Sequence, residues 1–292
     1  MTKRSNKLAY LLLAPSLLLL IAILIYPMGF SLSYSFQFWN LQTSPTPQGF
    51  AGIQNFSRVF SDPQFVRSLI NTLYISVTAT VLQLVLGLMI ANLLNAKLKG
   101  TGVARVLLIL PVAISPMVVG FIFRYLLYAN GLLPFIFRSM GISLPARGLL
   151  GSNLTAPWMI ILTDTWQWTP FFAIILLAGL KSIPLEIIEA AKVDGASPFQ
   201  AFWYVKLPSL KFVLAIVIMI RFLKTFNLFD IIHIMTRGGP GMATRTLSYN
   251  LFYAALRYFN VGYSSAMAWV MILIVIVIIN GFIFIIFPKR EF

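Results

Sequence analysis

Residues 189–208 read Glu-Ala-Ala-Lys-Val-Asp-Gly-Ala-Ser-Pro-Phe-Gln-Ala-Phe-Trp-Tyr-Val-Lys-Leu-Pro, a polar stretch inside a very apolar chain. Hydrophobic residues make up 59% of the 292 positions, and only seven residues are acidic. Three of those seven, Glu186, Glu189 and Asp194, fall within nine positions. A membrane protein that gathers its few carboxylates into one water-facing segment is expected to present that segment to a partner.

The composition excludes several classes of protein. Charged residues make up 10% of the chain, against about 25% in soluble domains. The net charge of +15 comes from basic residues at the ends of apolar runs, which indicates membrane topology rather than nucleic-acid binding. The chain has no cysteine, and His233 is its only histidine. We therefore predict no disulfide, no metal site, no catalytic residues and no cofactor bound by this chain.

Six apolar runs are each long enough to cross the ~30 Å hydrocarbon core, which takes about 20 residues as a helix. Lipid offers no partner to unpaired backbone groups, so each span is predicted to be helical. The polar segment 37–68 is predicted to be a loop with a short helix near Asp62–Ser68. The predicted spans are Leu8–Leu32, Leu69–Leu94, Val106–Tyr128, Pro157–Leu180, Leu210–Ile232 and Ala266–Phe287.

Basic residues in the loops predict the orientation, because cytoplasmic loops carry more Lys and Arg. The side expected to be cytoplasmic holds twelve: Lys3, Arg4, Lys7, Lys97, Lys99, Arg105, Lys181, Lys192, Lys206, Lys211, Lys289 and Arg290. The other side holds seven: Arg58, Arg67, Arg138, Arg147, Arg237, Arg245 and Arg257. Both termini and the acidic segment are therefore expected in the cytoplasm.

The acidic segment is predicted to form two short helices. Pro184 suits the start of the first helix, whose positive end lies near Glu186 and Glu189. This helix is expected to end near Val193, where Gly195 permits a tight turn.

A second helix is predicted from Ser197, a capping residue followed by proline and by Gln200 three positions later. Phe199, Phe202 and Trp203 have the spacing of residues that share a helix face. From these residues alone, a hairpin that lies on the membrane surface and merely connects two spans remains an alternative.

The stretch resembles the Glu-Ala-Ala loop of binding-protein-dependent ABC importer permeases, and further motifs resemble the carbohydrate branch of that family. One departure is Phe212, where many relatives have a second proline, which leaves the exit from the loop in doubt. The matching residues are Glu189-Ala190-Ala191, Asp194-Gly195-Ala196, Leu207-Pro208, Leu180–Pro184, Thr236–Pro240 with Thr244, Gly262–Ala266, Leu110-Pro111 through Ser115-Pro116, and Trp166–Pro170.

The resemblance implies an all-α integral membrane protein with the type I ABC importer permease fold. It also implies two cytoplasmic ABC ATPase subunits as partners, a second permease that forms a heterodimer with this chain, and an extracytoplasmic substrate-binding protein. This chain has no phosphate-binding loop, so ATP and Mg are expected on the partner ATPase. The coupling residues are expected to be Glu186, Glu189, Ala190, Ala191, Asp194, Gly195, Ala196, Phe202, Trp203, Leu207 and Pro208.

Polar residues in the fifth span suggest a substrate pathway, because such groups inside a membrane usually face a cavity or the bundle interior. Lys224, Asn227 and Asp230 are the best candidates for one lining strip, and Trp166 and Trp168 offer rings that stack on a sugar. The alternatives are neutralisation of Lys224 by Asp230 or Asp164, and ordinary packing of the two tryptophans.

A glycine-rich turn marks the external side. By the resemblance, Gly238, Gly239 and Pro240 are expected to contact the binding protein, and 244–258 is predicted as a surface-lying helix. We expect an N-terminal span and external loop over 1–68, a core permease domain over 69–287 with its coupling loop at 181–209, and a cytoplasmic tail over 288–292.

The predicted function is import of a mono- or oligosaccharide by alternating access in the inner membrane of a bacterium or archaeon. Arg221 and Lys224 leave an anionic saccharide or sugar phosphate open as the cargo. A proton- or sodium-coupled carrier or a channel, working without ATP, and a membrane-embedded enzyme are further alternatives. No compact group of a nucleophile and a base favours the enzyme.

Overall fold

A computed structural model describes residues 3–96, 101–145 and 147–286, with side chains from residue 11 onward except at position 285. The predicted tail 288–292 and the loop bases Lys97, Lys99, Lys289 and Arg290 lie outside the described residues. The helices, in chain order, are α1 (Lys3–Leu20), α2 (Tyr26–Ser35), α3 (Gln54–Ser61), α4 (Pro63–Asn95), α5 (Thr101–Ala113), α6 (Pro116–Leu127), α7 (Leu132–Ser139), α8 (Thr155–Lys181), α9 (Leu185–Val193), α10 (Pro198–Ala201), α11 (Leu207–Ser209), α12 (Lys211–Phe226), α13 (Asp230–Met235), α14 (Leu247–Phe252) and α15 (Val261–Ile286).

Six helical segments in the described part of the chain are long and apolar enough to cross a membrane. The chain is therefore an all-α multi-pass membrane protein, as the apolar runs predict. π-helical turns at Ile21–Ile25, Phe202–Lys206 and Tyr253–Arg257 continue neighbouring helices. The six segments are Leu11–Ser35, Pro63–Asn95, Pro116–Ser139, Thr155–Lys181, Lys211–Met235 and Val261–Phe284.

The second span begins earlier than predicted. The short helix of the loop after the first span is α3, whereas the predicted helix at Asp62–Ser68 is the first part of α4. Asp62 caps this start, because its Oδ1 accepts a hydrogen bond from the backbone N–H of Gln64 at 2.8 Å. Pro63 occupies the first position of α4, where a backbone N–H would have no helical partner. Proline lacks this N–H and is therefore well suited to begin the helix.

The third predicted span is two helices, α5 and α6, separated at Ser115. Ser115 has an extended ψ of 137°, as expected for a residue that precedes a proline. The break leaves the Ile114 carbonyl without a helical partner, and Gln167 Nε2 of α8 donates to it at 2.9 Å. Pro111 lies inside α5.

The fifth predicted span is also interrupted, because α12 ends at Phe226 and α13 begins at Asp230. The carbonyl of Leu228, in the gap, accepts hydrogen bonds from Thr246 Oγ1 at 3.0 Å and Ser248 Oγ at 2.9 Å. Non-helical backbone is tolerated at membrane depth only where such partners or a water-filled cavity are available. The predicted span is thus confirmed as Lys211–Met235, but its helix is interrupted, which the apolar run did not indicate.

The chain divides into two compact units, Met1–Val66 with Leu251–Ile278, and Arg67–Asn250 with Ile279–Phe292. In the second unit, α4, α8 and α12 bury a common apolar core whose members include Ala91, Phe172 and Val217. Ile183 and Leu210 belong to the same core. They flank the acidic segment, so both of its ends are fixed by buried apolar contacts.

Candidate coupling loop and translocation site

The first helix of the acidic segment, α9, ends in a left-handed turn at Gly195, whose φ is +80°. The N–H of Ala196 donates to the Ala191 carbonyl at 2.9 Å, and the N–H of Gly195 donates to the Lys192 carbonyl at 3.1 Å. These two bonds form a Schellman motif, which satisfies the last carbonyls of a helix. No atom lies within 4 Å of a Cβ built at Gly195. Glycine is therefore favoured there by backbone conformation and not by crowding.

The second helix begins with the predicted capping box. The backbone N–H of Gln200 donates to Ser197 Oγ at 3.3 Å, and the N–H of Ser197 donates to Gln200 Oε1 at 2.8 Å. Pro198 occupies the first helical position. The chain then passes through a π turn into α11 and so returns to the membrane. The prediction of two short helices with a glycine joint is confirmed.

Aromatic rings gather on this second helix. The ring of Trp203 lies 6.1 Å from that of Phe199 and 5.7 Å from that of Phe202. Phe199 is 72% exposed and Trp203 49% exposed, whereas Ala201 beside them is buried. The side of this helix that holds Ala201 is thus fixed to the protein, and two large rings remain available for contact.

The predicted coupling residues lie on the surface of the loop. Within the predicted loop 181–209, Ile183 belongs to the buried core, and from here on we call residues 185–209 the coupling loop. Its three carboxylates are exposed and form no ion pair with any residue that the structure describes. Exposed members of the predicted set are Glu186, Glu189, Ala190, Asp194, Gly195, Trp203 and Pro208, and half-buried members are Ala191, Ala196, Phe202 and Leu207. The loop therefore presents acidic and aromatic groups together.

A groove of about 530 Å³ separates the coupling loop from α4. It lies between Phe199, Phe202 and Trp203 on the loop and Leu88 and Met89 on α4. The loop is therefore held at its two ends and at Ala201 but does not pack fully against the helix beside it.

A buried polar cluster joins three membrane helices. Arg221 of α12 forms an ion pair with Asp164 of α8, and its Nε donates to Gln83 Oε1 of α4 at 2.8 Å. Gln83 Nε2 donates in turn to Asp164 Oδ2 at 2.9 Å. The side chains of Arg221 and Asp164 are 2% and 0% exposed. Charges this deeply buried are tolerated because each one is paired and hydrogen-bonded.

Trp168 completes this cluster, since the Arg221 guanidinium carbon lies 4.8 Å from its ring centroid. Asp164 Oδ1 is buried without a hydrogen-bond partner among the described residues. Sequence reasoning missed Gln83 and considered Asp164 only as one of two alternative partners of Lys224. The sequence did contain a signal for this pair. Arg221 and Asp164 are opposite charges in separate apolar runs, and ionisable groups inside membranes tend to pair with one another.

The predicted lining strip is divided by the helix break after Phe226. Lys224 lies in the last turn of α12, Asn227 is the first residue after this helix, and Asp230 is the first residue of α13. Lys224 and Asn227 are exposed, and Asp230 is half-buried. Asn227 Nδ2 donates to the Leu223 carbonyl at 3.2 Å. These residues therefore lie around an irregular segment rather than along one helix face.

The two tryptophans of α8 have different surroundings. Trp166 is 44% exposed and lies 5.3 Å, ring to ring, from Phe123 of α6. Trp168 is half-buried against Arg221. Trp166 therefore has the free ring surface that stacking on a ligand requires, whereas much of Trp168 is engaged within the chain.

The glycine-rich turn after α13 is tightly fixed. Gly238 is buried with a φ of +80°, and a Cβ there would come within 2.8 Å of the Tyr249 ring. Gly239 and Pro240 are half-buried, and Thr244 Oγ1 donates to the Gly239 carbonyl at 2.8 Å. Of the three predicted contact residues, Gly238 thus faces inward, and the other two form the outer part of the turn.

The sequence matches the family model described as the binding-protein-dependent transport system inner membrane component over residues 83–291. The chain belongs to this family. The matched range contains the coupling loop, the buried cluster and the turn at Gly238. The N-terminal span, the loop that follows it and the first part of α4 precede the matched range.

Two relatives of known name align with most of the chain. The trehalose/maltose transport system permease protein MalF of Thermococcus litoralis is 36% identical over 265 residues, covering 89% of this chain and 85% of that protein. The sulfoquinovosyl glycerol transport system permease protein SmoG of Agrobacterium fabrum is 34% identical over 268 residues, covering 90% and 85%.

The fold is also that of a solved transporter. The chain aligns with a bacterial ABC transporter involved in the import of the acidic polysaccharide alginate, with a TM-score of 0.84 and 20% identity. The alignment covers 99% of this chain and 98% of the other. At this identity the match demonstrates the ABC importer permease fold.

Proposed function

We propose that this chain is the permease subunit of an ATP-driven importer that moves a mono- or oligosaccharide across a bacterial or archaeal inner membrane. Family membership supports the transport role, and the named relatives support a saccharide cargo. The chain has no activity of its own in this proposal. ATP and Mg are bound by two cytoplasmic ATPase subunits, and a second permease and an external binding protein complete the complex.

The coupling loop is the observation that carries the proposal. Its carboxylates are exposed and its two ends are fixed in the core by Ile183 and Leu210. A segment held at both ends transmits force to α8 and α12 when a partner moves it. With both termini in the cytoplasm, the loop faces the ATPase, and its movement opens the pathway near Lys224, Asn227 and Asp230 alternately to either side.

A second candidate cargo is an anionic saccharide. Lys224 is exposed beside the helix break and is available to an anion. Arg221 supports this candidate less, because its guanidinium is bound to Asp164 and Gln83. One named relative is a permease for sulfoquinovosyl glycerol. The two cargoes are distinguished by supplying the reconstituted transporter with neutral and with anionic sugars. The sugar that stimulates ATP hydrolysis identifies the cargo.

The proposed function is tested with the complete complex in proteoliposomes. The expected result is ATP-dependent uptake of a saccharide that requires the binding protein. Gly195→Val should abolish stimulated ATP hydrolysis, since a β-branched residue resists a φ of +80°. Gly195→Asn is the matched control, because asparagine tolerates the left-handed region and should retain much of the stimulation. Uptake that persists without the ATPase subunits would exclude this mechanism.

A further inference from the structure

A polar pocket of about 310 Å³ lies in the loop after the first span, within the unit Met1–Val66 with Leu251–Ile278. Its lining comes from three separate segments: the loop after α2, the helix α3, and the residue before α15. The lining residues are Phe38, Trp39, Asn40, Gln48, Gln54, Asn55, Arg58 and Asn260.

Backbone hydrogen bonds fix the frame of this pocket. The N–H of Phe38 donates to the Gly49 carbonyl at 2.9 Å, and the N–H of Gln48 donates to the Phe38 carbonyl at 2.8 Å. The N–H of Gly262 donates to the Trp39 carbonyl at 3.0 Å, which ties the loop to α15. The pocket is therefore held by paired backbone from both parts of the unit and does not depend on a ligand to form.

Asn55 forms the floor of the pocket. It is 6% exposed, and its Nδ2 donates to the carbonyls of Ser35 at 3.0 Å and Gln37 at 2.9 Å. A Cβ at Gly262 would lie 2.2 Å from the Gln37 carbonyl oxygen and 3.1 Å from Asn55 Nδ2. Glycine at 262 thus allows the close approach on which this floor depends.

The chemistry of the lining favours a ligand rich in hydroxyl groups. Five of the eight lining residues are amides. Asn55 has both N–H groups bonded to the Ser35 and Gln37 carbonyls and offers only its Oδ1, whereas each of the other four carries both donor and acceptor atoms. A hydroxyl group requires the same combination. Trp39 and Phe38 add apolar ring surface, and Arg58 is the one charged residue of the lining. Its guanidinium carbon lies 4.8 Å from the Tyr263 ring centroid, so this charge already has a favourable neighbour.

We infer that this pocket binds a neutral pyranose ring of a saccharide on the outer side of the membrane. A concave pocket with converging polar groups suits a small ligand, whereas protein interfaces have aromatic, apolar centres. The inference rests on the proposed function in one respect, because the orientation of the importer places this pocket on the outer side of the membrane. It adds a second saccharide site, separate from the pathway candidates in α8, α12 and α13.

The absence of cysteine from the chain permits a direct test. Gln48→Cys places one thiol at the pocket, and Gln42→Cys places one on the same loop outside the lining. In the complete complex in right-side-out proteoliposomes, the rate of labelling by a membrane-impermeant maleimide is measured with glucose, maltose or trehalose. Sorbitol at equal osmolarity is the control.

We expect a saccharide to slow the labelling of the Gln48→Cys variant at least threefold. Sorbitol should not change the labelling rate of this variant, and the saccharides should not change that of Gln42→Cys. Adding Gln54→Ala should raise the half-maximal saccharide concentration about fivefold, the effect of one lost hydrogen bond. Equal labelling with and without all three saccharides would overturn the inference, as would equal slowing of Gln42→Cys.

The same experiment separates this site from a docking surface and from the transport function. Slowing by sugar-free binding protein, without slowing by free saccharide, would show a protein contact and overturn the inference. Saccharide-stimulated ATP hydrolysis is measured in parallel with the cysteine-free chain. If no saccharide stimulated ATP hydrolysis, the proposed function would be contradicted. The labelling result would still show whether the pocket binds a saccharide.

Discussion

The carboxylates of this chain have opposite surroundings in the buried cluster and in the coupling loop. Asp164 is fully buried, and its partners Arg221 and Gln83 are in the same chain. Glu189 and Asp194 are exposed and have no ion-pair partner among the described residues. Both regions contain several of the few charges available to an apolar protein.

The difference indicates what each charge is for. A buried ion pair costs several kcal/mol in lost hydration, which a well-placed partner offsets, so the cluster specifies how α4, α8 and α12 meet. An exposed carboxylate carries no such cost and contributes little to stability by itself. Its arrangement with exposed aromatic residues on a loop fixed at both ends is instead suited to recognition. Disrupting each region should therefore produce a different kind of defect.

The largest effect is expected from Arg221→Ala. The substitution leaves the Asp164 carboxylate buried without its cation, which costs about 3–5 kcal/mol. The variant should be inserted in the membrane but lose most of its thermal stability. This is measured as the loss of monodisperse complex after heating, by fluorescence-detected size exclusion.

The double variant Asp164→Leu/Arg221→Met serves as the control for Arg221→Ala. Replacing both charges by apolar groups of similar volume removes the unpaired carboxylate, so most of the stability should return. If Arg221→Ala were as stable as the unchanged chain, or if the double variant were worse than the single one, the cluster would not be a structural pair.

A large effect of the other kind is expected from Glu189→Lys. Charge reversal on an exposed side chain should leave the heat stability of the chain within ~0.5 kcal/mol. Like charges brought together at an interface cost several kcal/mol, so stimulated ATP hydrolysis in the complex should fall at least tenfold. The neutral variant Glu189→Gln should show stimulated ATP hydrolysis between that of the unchanged chain and that of Glu189→Lys. Full stimulation in Glu189→Lys would remove this carboxylate from the docking surface.

The sequence was sufficient for features that depend on local chemistry. Ser197 and Gln200 are three residues apart, and a capping box requires only that spacing. Gly195 marks the left-handed turn, because few other residues adopt it readily. The apolar runs gave the six spans through their length. Each of these signals lies within one short segment of the chain.

Features that depend on distant parts of the chain were not predictable. The break after Phe226 is stabilised by hydroxyl groups of Thr246 and Ser248, about twenty positions later. Arg221 and Lys224 look equivalent in a periodic pattern, yet only Arg221 faces both Asp164 and Gln83. The face that each residue presents is set by packing, which one helix does not determine by itself.

A smaller effect is expected from Ser197→Ala. Loss of a helix cap costs about 1 kcal/mol, and the cost should remain local because the coupling loop is anchored in the core elsewhere. Amide hydrogen exchange over 198–206 should accelerate about fivefold, with several-fold weaker stimulation of ATP hydrolysis. Ser209→Ala is the matched control, since its Oγ only donates to the Val205 carbonyl within a helix. Similar exchange in both variants would show that the cap does not order the loop.

The last and smallest effects are expected from the two tryptophans of α8, with Trp168→Phe compared with Trp166→Phe. Trp168 lies over the Arg221 guanidinium, and tryptophan is the strongest partner for a cation. Its replacement should lower stability by about 0.5–1 kcal/mol. The half-exposed Trp166 has no such partner in the described chain, so Trp166→Phe should change stability by less than ~0.5 kcal/mol while it weakens saccharide uptake. Both quantities are measured in the same reconstituted complex. If Trp168→Phe instead lowered uptake at unchanged stability, its ring would belong to the pathway, and the buried cluster would border the route of the cargo.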